Sequence, residues 1–388
     1  MKCWESIISF ILILILPSFL HPWGFTQRLT WTTNDSAYPQ IFIDSNDDIH
    51  IVWVEYFSGA GEIYYKRTSD NGSTWMPPNR LTWTSGNSRE PFFTKGLGQS
   101  LHLVWTDDSA GNDEIYYKNS TDEGISWSTT QRLTWNNGNS RNPTITADSA
   151  FGVHIIWSDS TPGNEDIFYK RSTDSGATWL PPLRLTWNTG SSQYPFIMAV
   201  LNEIHVVWSD FLSGNWDICY KQSLNTGGTW SPPKRLTYNP GNSWKPYMTV
   251  TENKYIHIVW YDGSPGNDEI YFKRSNDNGK TWDPIKRLTW NFGYSRHPKI
   301  NCDAAGNLLL VWFDSSFGNE EILHKESNDN GTTWVGISRL TWNSSLSSQP
   351  DIDSDSYSGK HVVWQDNGPS NWEIFLKSHH YLIPAYRK

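Results

Sequence analysis

Three tryptophans, Trp216, Trp244 and Trp372, stand in polar stretches rich in Asp, Asn, Ser and Gly. An aromatic face beside acids and amides suits a sugar, because the ring takes the C–H side of a pyranose and the polar groups take its hydroxyls. Tyr38 and Tyr194, each just before a proline, add two candidate faces. Plain loop packing is the competing reading, since single exposed aromatics are ordinary. Histidines recur three residues before a tryptophan, at His50, His102, His154, His205, His257 and His361, with Leu309 at the remaining position. Acids recur just after that tryptophan, at Glu55, Asp107, Asp159, Asp210, Asp262, Asp314 and Asp366. Which of these side chains can meet depends on the elements that carry them.

Those elements are set by a repeat. The tetrapeptide RLTW starts at Arg28, Arg80, Arg132, Arg184, Arg287 and Arg339, with RLTY at Arg235, at spacings of 52, 52, 52, 51, 52 and 52 residues. A fixed period of this size means a repeat architecture. Each unit holds four short apolar-alternating segments, such as KPYMTV, YIHIVWYD, EIYFKRS and TWDPIKRLTW, separated by Gly-, Asn- and Asp-rich turns. No helical periodicity appears. Seven units of four strands, A to D, predict an all-β, seven-bladed β-propeller of antiparallel blades. The last unit has three strands, whereas a lone D-type segment, FTQRLTW, precedes every A strand. The N-terminal strand is therefore expected to complete the last blade, leaving no large open sheet edge.

Antiparallel neighbours reverse direction, so A–B and C–D loops share one face of the disk and B–C and D–A loops share the other. Equivalent histidines lie in different blades and cannot converge on one ion, so in-blade hydrogen bonds are expected in place of a metal site. The acids after strand B read as loop staples, with carboxylates bonded to loop amides. DSDSYSG, from Asp353, has loose calcium-loop spacing without the full pattern, and reads as an A–B turn. The residues before each A-strand proline vary most and are expected to ring the channel mouth. Trp216 and Trp244, in successive B–C and D–A loops, are expected to lie close.

Six related octapeptides precede the D strands: TSDNGSTW, STDEGISW, STDSGATW, SLNTGGTW, SNDNGKTW and SNDNGTTW. This motif resembles the Asp box of the sialidase superfamily and other BNR-repeat propellers, and the likeness spans about Arg28 to Lys377. The resemblance implies a C–D turn in which Asp70, Asp122, Asp174, Asn225, Asp277 and Asp329 accept turn hydrogens, Gly supplies positive φ and Trp packs between sheets. It also implies ligand approach from the opposite face. Sialidases use three arginines for the substrate carboxylate, with a Tyr nucleophile, its Glu partner and an Asp acid/base. Carried over by position, that set would be Arg89, Arg141, Arg296, Tyr38 and Glu90. The chain departs from the sialidase pattern: the early RIP-type arginine motif is absent, and no blade carries a long insertion.

Residues 1–23 hold one Lys ahead of an apolar run from Ile7 to Leu20, which predicts a secretory signal peptide or a retained N-terminal anchor. The propeller is expected over 24–378 and a C-terminal tail over 379–388. Export to the cell surface, periplasm or medium follows from that signal, with membrane contact only if it is retained. Cys219 and Cys302 occupy non-equivalent positions and predict no disulfide framework. A net charge of −9 without basic runs argues against nucleic acid. No cofactor is expected. The expected function is a monomeric, non-catalytic propeller binding glycan or an extracellular protein. The alternatives are a sialidase-like glycoside hydrolase and a scaffold or assembly factor docking on a partner.

Overall fold

The computed structural model describes residues 23–379 except Ser213; the apolar N-terminal run and most of the C-terminal tail lie outside the described residues. Its strands form seven four-stranded antiparallel sheets, each ordered A-B-C-D as in Asp35–Ile43, Ile49–Phe57, Ala60–Thr68 and Asn79–Arg80. The seventh sheet pairs Gln27–Arg28 with Glu373–His379, in the register Gln27↔Leu376 and Arg28↔Phe375. The all-β seven-bladed ring and its closure by the N-terminal strand are thus as the repeat predicts.

The strands form because β-branched and aromatic residues alternate with polar ones, and the pleat sends them to opposite faces. Strand B is apolar on both faces because each blade packs between two neighbours; Leu101–Asp107 is buried throughout. The B-strand tryptophan is fully enclosed in every blade, from Trp53 to Trp364. Its apolar neighbours come from the preceding sheet, as in the cluster joining Val104 and Tyr117 to Ile145, Ile155 and Trp157. Inner strands also bond across blades. Ile41 and Ile43 of the first blade donate backbone N–H groups to Asp351 and Asp353 of the last, at 3.0 and 2.7 Å. The seam is thereby fastened at both its outer and inner strands.

Candidate functional site

Every A strand opens with a bulge, where the register slips between residues such as Arg89 and Phe92. At its centre the residue before proline adopts φ between 49° and 56° in all seven blades. Left-handed backbone costs a non-glycine residue on the order of 1 kcal/mol, and a following proline normally favours extended backbone. The ring pays this seven times, and the result is to turn seven side chains toward the axis. Tyr38, Glu90, Asn142, Tyr194, Lys245, His297 and Gln349 circle a cavity of about 230 Å³ at the channel mouth.

The structure separates the paired positions that the sequence left together. The second residue of each pair faces the mouth. The first turns outward to the B–C loops: Arg89 and Arg141 meet on Asp113, and Arg89 also reaches Asp108 at 3.3 Å. Arg296 pairs with Asp268 at 2.5 Å and stacks 4.4 Å from the Tyr294 ring centre. Blades two and three carry the first two arginines and blade six the third, so they are split across the ring. Two meet; the third stands apart.

Around the mouth the polar groups form chains. Glu90 accepts the Asn142 backbone N–H and side-chain amide, both at 2.8 Å, and the Thr106 hydroxyl at 2.9 Å. Burial lowers the Lys245 ammonium to about 8. Burial, with Lys245 beside it, holds His297 at about 3, so the imidazole is neutral at physiological pH. One tautomer then fits both contacts: Lys245 Nζ donates to His297 Nε2 at 3.1 Å, and His297 Nδ1–H donates to Gln349 Oε1 at 2.7 Å. Lys245 also lies 5.0 Å from the Tyr194 ring centre.

One layer deeper, rings from different blades meet across the axis. Phe92 and Phe196 are 5.8 Å apart, Phe196 and Tyr247 4.0 Å, and Lys299 Nζ sits 4.1 Å from the Tyr247 centre. This layer floors the mouth and makes it a cup. Below it lies a second space of about 200 Å³, where burial raises Asp353 to about 7.

A run of aromatics leads from the rim to the cup. Phe211 lies 5.4 Å from Trp216, Trp216 4.2 Å from Trp244, and Trp244 5.8 Å from Tyr194. Trp372 stands apart in the last blade, its backbone N–H donating to Asp35 Oδ1 at 2.9 Å beside the seam. Tyr38 is 43% exposed on the far side of the cup. Phe211 was not singled out by sequence; Lys245, His297 and Gln349 belong to the pairs expected to ring the mouth, but which member of each pair turns inward was left open. The available signal was parity: the residue next to proline is the one that the bulge turns inward.

The repeated acids hold these loops. Asp159 takes the hydroxyl of Ser140, the amide of Asn136, the indole N–H of Trp157 and the backbone N–H of Thr161, all within 3.0 Å. The acid opening strand C pairs with the RLTW arginine in every blade, as Glu62 does with Arg80 at 2.7 Å. Five of the six histidines bond within their blades, as His102 Nδ1 does with the Tyr117 hydroxyl at 2.7 Å, whereas His257 faces the Phe272 ring. Among the described residues no group of three or more His, Cys, Asp or Glu is placed to hold a metal ion. The Asp boxes occupy the other face. Asp174 accepts Thr178 N–H at 2.8 Å and the Thr178 and Ser172 hydroxyls at 2.6 and 2.7 Å; these bonds hold its pKa at about 2.

A model of the BNR repeat-containing family matches residues 17–139. No match was found among curated proteins. A Dyadobacter fermentans protein of unknown function has 12% identity and a TM-score of 0.56, over 91% of this chain and 98% of its own. The Penicillium chrysogenum α-L-arabinanase, solved with arabinobiose, has 15% identity and a TM-score of 0.54, over 89% and 93%. The Trypanosoma rangeli sialidase has 12% identity and a TM-score of 0.53, over 92% of this chain and 59% of its own. Identities this low speak for the fold alone. The chain is a seven-bladed β-propeller whose residues 17–139 match the BNR repeat-containing family and whose fold is like that of the arabinanase and the sialidase.

Proposed function

We propose that this propeller is a glycan-binding module and that its ligand enters the cup by the aromatic run. The observation that carries this reading is the unbroken sequence Phe211–Trp216–Trp244–Tyr194, which ends beside Lys245 at the cavity wall. Contiguous, partly exposed rings, tilted or edge-on to one another, offer faces for sugar C–H groups, while Lys245, Asn142 and Gln349 at the cup offer polar groups for hydroxyls. The cup is smaller than sites of about 300–1,000 Å³ that enclose drug-sized ligands. It suits a terminal sugar, with the rest of the chain lying along the run. Glu90 is committed to Asn142 and Thr106, which favours binding over acid–base work. The described chain begins beside the Asp-box turn, where Gln27 donates to the Gly72 carbonyl at 3.1 Å. An N-terminal anchor, if retained, would therefore hold the cup away from a membrane.

A glycan array followed by calorimetry tests this. Trp216→Ala with Trp244→Ala is expected to weaken binding about 100-fold, and unchanged affinity in the double variant would exclude the site. The second reading, a glycoside hydrolase, is favoured by the meeting of Arg89 and Arg141 above Asp113. Turnover of fluorogenic sialosides or arabinosides that is lost in Glu90→Gln would replace the binding reading with that one.

A further inference from the structure

The aromatic that ends each RLTW or RLTY segment is unlike the other recurring tryptophans. The B-strand indoles are enclosed and the Asp-box indoles partly buried, yet this position is 66–72% exposed in all seven blades, from Trp31 to Trp342. The fold does not require that exposure. Nor does it require an indole N–H, because Tyr238 serves in one blade. What the seven share is a flat, open aromatic face.

Each ring also has at least one cation beside it. The Arg80 guanidinium lies 5.6 Å from the Trp83 centre, and Lys118 of the next blade lies 5.6 Å from the same ring. Arg132 and Lys170 flank Trp135 at 5.9 and 5.7 Å. The cations are themselves fixed. Arg80 bonds Glu62 at 2.7 Å, and Lys118 donates to the Leu81 carbonyl at 2.7 Å. A ring so flanked loses little entropy on binding. Each guanidinium is already paired with its blade's own carboxylate and each lysine is bonded to a backbone carbonyl, so the platform offers an apolar face with polar edges.

Equivalent positions in seven blades lie in one plane around the axis. The D strand lies three strand spacings, about 14 Å, outside the A strand, so this crown runs around the outer rim of the disk, where Lys66 lies 5.7 Å from Trp31 and 5.6 Å from the Asp-box Trp75, and it is not part of the cup. We infer that the crown is a second, multivalent binding surface for a neutral pyranose polysaccharide, whose repeating units present the same C–H face many times. Sevenfold repetition matches a polymer better than any single small ligand, and several weak contacts add as avidity.

Retention of the whole protein on microcrystalline cellulose, chitin and insoluble amylose tests this. The parent is expected to be held by at least one of them. Trp83→Leu, Trp135→Leu and Trp187→Leu together should lower retention about tenfold or more, whereas the corresponding triple Tyr variant stays within about threefold. The Trp216→Ala/Trp244→Ala variant should be retained like the parent, which separates this surface from the cup. No retention on any of the three polymers overturns the inference, as does parental retention by a folded triple Leu variant. If that variant fails to fold, the double variant Trp83→Leu/Trp187→Leu decides: weaker retention is expected, and parental retention overturns the inference.

Discussion

The two faces of the disk are built from the same strands and the same period, yet they use their polar groups in opposite ways. On the Asp-box face, each acid spends its oxygens on its own turn, and Asn225 makes the matching bonds to Thr229 and Ser223 with no charge at all. On the mouth face, repeated acids staple loop to loop, and the bulges turn a non-repeated set of residues, Glu90 through Gln349, toward the axis. Invariance with every bond satisfied locally marks a turn. Variation at a position that the backbone aims into one space marks chemistry. The crown is a third case, since it is invariant in type but left exposed.

The largest expected effect comes from buried histidines of the Asp-box side, and the mouth-face His297, held at about 3, adds to it. His102, His205 and His257 sit at the start of B strands, under the Asp-box face, and burial holds them at about 4, 4 and 3. The unfolded chain takes up these protons near pH 6.5 and the folded chain resists them. Stability is therefore complete above 6.5 and is lost as the pH falls through 4, by about 1.4 kcal/mol per pH unit for each histidine. Melting temperatures from pH 7.5 to 4 check this, and His102→Gln should flatten the slope by about one proton. An equal slope in both proteins would refute the assignment.

A smaller effect contrasts two glycines, both with positive φ. A Cβ on Gly176, in an Asp box, would overlap the Tyr117 hydroxyl, whereas one on Gly163, in a B–C turn, meets nothing within 4 Å. Gly176→Ala should cost about 3 kcal/mol and Gly163→Ala about 1 kcal/mol, measured by denaturant unfolding. Equal costs would mean that the mouth-face loops are as tightly packed as the Asp-box turns. The smallest effect is expected at Asn225→Asp, within about 0.5 kcal/mol of the parent. A larger change would show that charge, not hydrogen bonding alone, matters in these turns.

Much of the fold was legible because its causes are local and repeated. RLTW spacing, alternation and the six-against-seven count of Asp boxes led to seven blades and to the seam at Gln27–Arg28. The proximity of Trp216 and Trp244 was legible too, because consecutive B–C and D–A loops neighbour each other. That the pairs before proline ring the mouth was legible, but not that Lys245, His297 and Gln349 are the members that turn inward, because a bulge with positive φ before proline runs against the ordinary preference of that dipeptide. The division of Arg89 and Arg141 from Arg296 was likewise hidden. Position within a repeat tells which loop a residue occupies and leaves open which blade's acid it will meet.

The sequence by itself determined the number of blades, the strand that closes the ring and the face on which the Asp boxes lie, since period and alternation act through nearest neighbours in the chain. Only the tertiary structure decided which residues share the cup and which tryptophans remain open to solvent. Both depend on blades that close around a common axis, bringing together residues hundreds of positions apart.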